Sequence, residues 1–223
     1  MSLVVIVPTR GRPDSAHRLY QTFEKASVAT IVFVVDDDDP SLAGYEDLEL
    51  PVLVAPRGRP GIVDPLNWAV RQIVEDPAVE MVGFLGDDHL PRTEDWDVRI
   101  IETLRQLGTG ICYGNDLLMG EKIPTAVFMT ADIIRTLGYM APPPLIHLWV
   151  DNSWLEWGKA IDRIRYLEDV IIEHLHPLAG KSDWDPTYDA CNNPNVEHDK
   201  AAFASYSRLG LRIDVKKLKK LIR

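Results

Sequence analysis

Residues 83–91 read GFLGDDHLP: an apolar run, two adjacent aspartates, a histidine and a closing proline. Side by side, the carboxylates of Asp87 and Asp88 repel each other and resist desolvation. Such a pair at the end of a buried strand needs either full solvation or a positive group beside it. The residues just before it, MVGFL (81–85), have the continuous apolar character of a strand covered on both faces. The same character recurs upstream in LVVIV (3–7), TIVFVVD (30–36) and PVLVA (51–55). Helical signals lie between these runs. One helix starts near Pro13 and Asp14, with Leu19 and Phe23 on one face. Another covers DPLNWAVRQIVE (64–75), with Asp64 as N-cap, Pro65 at the first helical position and an apolar stripe of Leu66, Val70, Ile73 and Val74. Strands alternating with helices predict a parallel sheet with crossover helices.

GDDH then lies just past the carboxyl end of a central parallel strand, where open α/β sheets bind their ligands. PTRGRP (8–13) ends the first strand in the same way, and VVDDDDP (34–40) the second. Three polar loops are thus expected to converge on one edge of the sheet.

The second half changes character. ICYGND (111–116) and TAVFMT (125–130) read as strands, and ADIIRTLG (131–138) as a short helix closed by Gly138. APPPLIHL (141–148) reads as an irregular loop. WVDNSWLEWG (149–158) reads as a helix with Val150, Trp154 and Trp157 on one face and Gly158 as its stop signal. DVIIEHLHP (169–177) reads as a strand carrying His174 and His176 on one face. RIDVKKLKKLIR (212–223) is a short basic amphipathic helix, in which Val215, Leu218 and Leu221 or Ile222 should dock on the body. No linker separates the halves, so residues 1–223 are expected to form one domain around one shared sheet.

The bulk numbers agree with that picture. A chain of 223 residues with 46% apolar and 26% charged content is an ordinary globular composition. Its net charge of -10 excludes a protein whose whole surface grips nucleic acid or anionic lipid, while leaving room for a local basic patch. The two cysteines, Cys112 and Cys191, form no disulfide framework and no CxxC motif, which predicts a reducing, cytoplasmic setting. Leu3 to Val7 is too short for the core of a signal peptide. No apolar run approaches the ~18 residues of a membrane span.

Turn chemistry after a strand would account for one of Asp87 and Asp88. Two carboxylates and His89 at a strand's carboxyl edge fit a hard divalent cation better, since Mg²⁺ or Mn²⁺ takes one or two carboxylates and completes its shell with phosphate oxygens. Asp36, the first acid past the second strand, is placed to accept hydrogen bonds from a ribose hydroxyl or a base N–H. At least two of the four acids 36–39 should be a solvated loop.

Taken in order, VVIVPTRGRP, VVDDDDP, APRGRPGIVDPLNWAV and GFLGDDHLP resemble the nucleotide-sugar half of GT-A glycosyltransferases of the large, family-two-like inverting group. The resemblance spans residues 3 to 177. It implies a mixed, mostly parallel Rossmann-like sheet flanked by helices. Residues 1–110 would form the nucleotide-sugar half and residues 111–223 the acceptor half. It maps donor binding to Pro8 and Thr9 with Arg10 and Arg12 of the same loop, to Asp36, to Arg57 and the loop through Gly61, and to Asn67. GDDH is not a literal Asp-x-Asp; the reading adopted puts Asp88 on the metal and Asp87 on the sugar or ribose, with His89 a further candidate ligand.

The resemblance also implies a general base at the start of a helix, where Asp151 stands, although an N-cap would explain the same residue. It implies a last metal ligand from a downstream histidine, with His176 first, His174 next and His147 weaker. Trp149, Trp154 and Trp157 read mainly as core, with one free to face an acceptor cleft. The implied activity is cation-dependent (Mn²⁺ or Mg²⁺) transfer of a sugar from a nucleotide-diphosphate sugar to an acceptor hydroxyl, with inversion. Acceptors of the group range over glycans, lipids, proteins and modified DNA bases, and the basic helix at 212–223 suits an anionic one.

Three alternatives stay open. A nucleotidyltransferase would want a Gly-rich loop with a Lys after the first strand, and PTRGRP has one Gly and no Lys. A metallohydrolase would use Asp88, His174 and His176 as a closed ligand set. An inactive sugar-nucleotide or glycan binder would bind donor without turnover.

Overall fold

The computed structural model describes residues 2–184, Asp189 and residues 193–222; Cys191 and Arg223 lie outside the described residues. The chain runs through β1 (Ser2–Pro8), α1 (Pro13–Ala26), β2 (Thr30–Asp36), α2 (Leu42–Asp47), β3 (Val52–Ala55), α3 (Val63–Ile73) and β4 (Val79–Phe84). It continues through β5 (His89–Pro91), α4 (Trp96–Leu107), β6 (Ile111–Asn115), β7 (Val127–Thr130), α5 (Ala131–Leu137) and α6 (Val150–Ala160). β8 (Ile164–His174), α7 (Val196–Arg208) and α8 (Gly210–Leu221) follow. The eight strands form one sheet in the order β3-β2-β1-β4-β7-β6-β8-β5. The first four are mutually parallel, and β6 and β8 are parallel to each other. β7 is antiparallel to both β4 and β6, and β5 is antiparallel to β8. One mostly parallel sheet therefore runs through both halves of the chain.

The continuous apolar runs are continuous because both faces of the sheet are covered. Ile6, Val34 and Val82 face a core built with Leu66 and Val70 of α3, Ile133 of α5, Trp154 and Trp157 of α6 and Leu218 of α8. Val5, Val7 and Phe33, their neighbours in the period of two, face Leu19 and Phe23 of α1, Tyr45 of α2 and Trp96 and Ile100 of α4. Among the described residues no helix is long and apolar enough to cross a membrane.

Three local expectations change. α3 starts at Val63, and Asp64 does not cap it: its carboxylate accepts the backbone N–H of Arg59 at 2.8 Å and the Arg59 guanidinium at 2.5 and 3.1 Å. Gly158 does not stop α6, which reaches Ala160. It lets the helix approach β8, since a Cβ there would stand 2.7 Å from Cβ of Ile164. β8 ends at His174, so His176 follows the strand instead of extending it.

The last two helices hold the second half in place by buried acids. Asp214 of α8 accepts the hydroxyls of Tyr139 at 2.5 Å and Tyr206 at 2.6 Å, while Trp157 Nε1 donates to Tyr206 at 2.7 Å. Asp199 of α7 is fully buried and accepts three successive backbone N–H groups, from Ile146, His147 and Leu148, at 2.7–2.9 Å. That carboxylate satisfies a turn that has no ladder of its own. Asp199→Ala is therefore expected to lower the free energy of unfolding by on the order of 3 kcal/mol, because three donors lose an ionised acceptor. Urea denaturation measures it; a loss below about 1 kcal/mol, the worth of a single ordinary hydrogen bond, would mean that the acid is not the brace.

Candidate active site

The carboxyl ends of β1, β2 and β4, the end of β8 and the start of α6 open on one cavity of about 550 Å³. Pro8, Thr9, Arg10, Arg12, Asp36 and Arg57 line it from the first half. Asp87, Asp88 and His89 reach it from the end of β4, and His147, Asp151, His174 and His176 from the second half. The predicted site residues thus meet in one place, apart from Asn67.

The two adjacent aspartates are handed to different neighbours. Asp87 is buried and accepts the Thr9 hydroxyl at 2.6 Å and Arg12 Nη1 at 3.2 Å. Burial, followed by the charge of Asp88, pushes its carboxyl up to about 6, with Arg12 and Thr9 pulling the other way. Asp88 turns toward the histidines. Its Oδ2 lies 3.3 Å from His174 Nε2 and its Oδ1 3.2 Å from His89 Nδ1. Burial works against its charged form, yet hydrogen bonding with His174 holds its carboxyl well below the usual range.

The short strand β5 explains why those histidines meet. His89 sits directly opposite His174 in the antiparallel β5–β8 register, and their rings stack at 4.1 Å. Gly86 N–H donates to His89 Nδ1 at 3.0 Å, so in that tautomer Nδ1 and Asp88 Oδ1 face each other as two acceptors. His89 Nε2 and His174 Nδ1 are buried without a hydrogen-bond partner among the described residues. One atom each of Asp88, His89 and His174 lie within 4.8 Å of one another, a grouping that could hold a metal ion. Facing acceptors are what a cation would relieve. His176 stands one ring further out, 5.0 Å from His174. There is no room for a side chain at Gly86, where a Cβ would lie 2.5 Å from Asp88 Oδ1.

The acidic loop after β2 divides its labour. Asp36 pairs with Arg57 and, at 3.3 Å, with Arg10, yet its Oδ1 is buried and has no hydrogen-bond partner among the described residues. Asp39 is buried as well, accepting Gly11 N–H at 2.9 Å and Ser41 N–H at 2.8 Å. It helps Tyr45, whose hydroxyl accepts Arg12 N–H at 2.9 Å, to shape the loop that carries both arginines. Asp37 takes the Arg57 N–H at 2.9 Å. Asp37 and Asp38, the latter against Arg10, are the two exposed acids of the four, as expected of a solvated loop.

In the second half, Asp151 occupies the first turn of α6, just after Trp149 in the left-handed region at φ 59°. Its Oδ1 accepts Asn152 N–H at 2.8 Å, and burial raises its carboxyl above the ordinary range. His147 is brought to the cavity by the turn that Asp199 holds; burial lowers its imidazole to about 4, and its Nδ1 has no hydrogen-bond partner among the described residues. Trp149 and Trp154 line the cavity, while Trp157 is core. Asn67 does not reach the cavity. Its Oδ1 accepts the N–H groups of Met140 and Ala141 at 2.9 and 3.0 Å, and its Nδ2 donates to Ala141 O at 2.8 Å. It ties α3 to the loop that begins the second wall.

No protein-family model matches the sequence, and no curated protein matches it. Solved structures do match. The mannosyltransferase PcManGT from Pyrobaculum calidifontis, in complex with GDP-Man and Mn²⁺, aligns over 97% of this chain and 72% of its own, with a TM-score of 0.61 and 13% identity. TarS of S. aureus aligns over 77% of this chain at a TM-score of 0.59 and 17% identity. Glucosyl-3-phosphoglycerate synthase from Mycobacterium tuberculosis, in complex with Mg²⁺ and uridine diphosphate, aligns over 80% of this chain and 73% of its own at a TM-score of 0.56 and 11% identity. The chain spans 36% of TarS and 59% of its 1–349 fragment. At these identities the likeness is one of architecture: the chain has the GT-A fold, with its Rossmann-like, mostly parallel sheet.

Proposed function

We propose that this protein is a GT-A glycosyltransferase that transfers a sugar from a nucleoside-diphosphate sugar to an acceptor hydroxyl with inversion, using a divalent cation. The observation that carries the reading is the Asp88–His89–His174 group, set at the end of the central strand β4 and facing the cavity. These three residues would hold the cation, Mn²⁺ or Mg²⁺, with His176 the nearest further imidazole. When bound, the cation supplies positive charge that stabilises a departing diphosphate. The structural relatives in complex with GDP-Man and Mn²⁺, or with uridine diphosphate and Mg²⁺, support the same assignment.

The chain's own residues supply the rest. Arg10, Arg12 and Arg57 bring cationic side chains to a diphosphate on a protein that is acidic as a whole. The unpartnered Oδ1 of Asp36 accepts a donor from the base or ribose, since a buried acceptor left empty is costly. Asp87, held by Thr9 and Arg12, faces the sugar or ribose. Asp151 takes the proton of the acceptor hydroxyl. The hydroxyl oxygen bonds to the anomeric carbon, the bond to the diphosphate oxygen breaks on the opposite side, and the nucleoside diphosphate leaves with that electron pair. Residues 1–110 form the donor half and 111–223 the acceptor half. The set Asp88, His174 and His176 expected of a metallohydrolase is not the one grouped among the described residues, where His89 stands with Asp88 and His174.

Donor binding tests the metal group. Across a panel of nucleotide sugars with Mn²⁺, at least one should raise the thermal midpoint, and EDTA or Asp88→Ala should abolish the rise. Equal donor affinity in wild type, EDTA and Asp88→Ala, measured by calorimetry, would sink the cation's role.

Turnover tests the base. Asp151→Asn should keep donor affinity and lose roughly two to four powers of ten in kcat. A base must be deprotonated, and burial raises this carboxyl, so kcat of wild type should fall on acidification through a pKa above the ordinary carboxylate value. A near-wild-type rate in Asp151→Asn, or an acid limb unchanged in its residual activity, would remove Asp151 from the reaction.

A further inference from the structure

The cavity accounts for the acids and histidines of the sheet edge, but not for the outer face of α8. Leu218 of that helix is fully buried, and Leu211 and Ile222 pack against the same core. The opposite face carries Arg212, Lys216, Lys217, Lys219 and Lys220, all exposed, with Arg208 just before the helix. The one acid of α8, Asp214, points inward to Tyr139 and Tyr206, so none of these cations has an acidic partner among the described residues. A groove of about 330 Å³ runs beside the helix, lined by Arg212, Val215, Lys216, Lys219 and Lys220. In a chain of net charge -10 this is a concentrated exception.

Charge alone would suit any polyanion. The apolar residues decide. Leu209, which caps the helix, is 66% exposed and Ile213 is 48% exposed. With Lys216 and Lys220 they fall at i, i+4, i+7 and i+11, one continuous stripe along the outward face. Against a duplex, two bare aliphatic side chains would meet phosphates and gain nothing. Against a bilayer they meet the glycerol and upper acyl region while the flanking lysines reach the headgroup phosphates. The helix's 12 residues give it about 18 Å of length, enough to lie flat in an interface and far too short to span one.

We propose that α8 is a docking face for an anionic lipid bilayer. Phosphates of the headgroups sit in the groove between Arg212 and Lys219, and Leu209 and Ile213 enter the interface beside them. This goes beyond the transfer reaction and does not depend on it, since it invokes no residue of the cavity.

Co-sedimentation of the whole protein with lipid vesicles tests it, with duplex DNA as a competing ligand. Vesicles of equal parts phosphatidylcholine and phosphatidylglycerol should bind, those of phosphatidylcholine alone should not, and binding should weaken as salt rises. The Lys216→Gln, Lys219→Gln, Lys220→Gln triple variant should lose about 100-fold in vesicle affinity, at roughly fivefold per cation. Leu209→Ser with Ile213→Ser should lose about tenfold while keeping every charge. Unchanged thermal midpoints separate lost docking from lost folding; if the apolar variant unfolds, the lysine variant, whose substituted side chains stand in solvent, decides alone. No binding to anionic vesicles at low salt, an unchanged affinity in the lysine variant, or tighter binding to duplex DNA than to vesicles would each overturn the proposal.

Discussion

Two carboxylates adjacent in sequence and both largely removed from water cannot share one environment. Asp87 and Asp88 meet this constraint by pointing at opposite partners, and the arrangement of the sheet follows from providing those partners. Asp87 needs β1 beside β4, because Thr9 and Arg12 come from the loop that ends β1. Asp88 needs a strand returning from far along the chain, because His174 ends β8, and β8 must pair with β5 for His89 to stand opposite it. The pleat then does the positioning: directly opposed residues of an antiparallel pair present their side chains on one face.

How much of this was legible follows from which interactions are local. The strands β1 to β4 and the helix α3 announce themselves, because each is a run of neighbouring residues with one period. The convergence of three polar loops follows from strand direction alone. β5 does not announce itself: it is three residues long and exists only through its pairing with β8. For the same reason His89 reads as no more than a further candidate ligand until its partner strand is in place, and His176 reads as a strand residue until β8 is seen to end. α4 is a different case. Trp96, Ile100 and Leu104 carry a helical period that was there to be read.

The acids were the least legible class. Asp39, Asp116 and Asp199 look like surface residues, and each is buried as an acceptor for backbone N–H groups. Asp116 alone takes N–H groups from Leu118, Met119 and Gly120 and the Thr125 hydroxyl, at 2.7–3.0 Å. No sequence pattern marks such a residue, because what it answers to is the curvature of a turn that is settled only after folding. Asn67 belongs with them: its amide serves a loop more than seventy positions downstream.

The hold of Asp199 on residues 146–148 has a consequence for how this protein can diversify. The carboxylate grips main-chain amides, and every residue but proline presents the same amide. The identities of the side chains on that turn, His147 among them, are therefore uncoupled from the means by which the turn is kept. A wall of the cavity can be re-lettered while its path stays put. Selection acting on which molecule the cavity receives can proceed there without reopening the question of whether the chain folds.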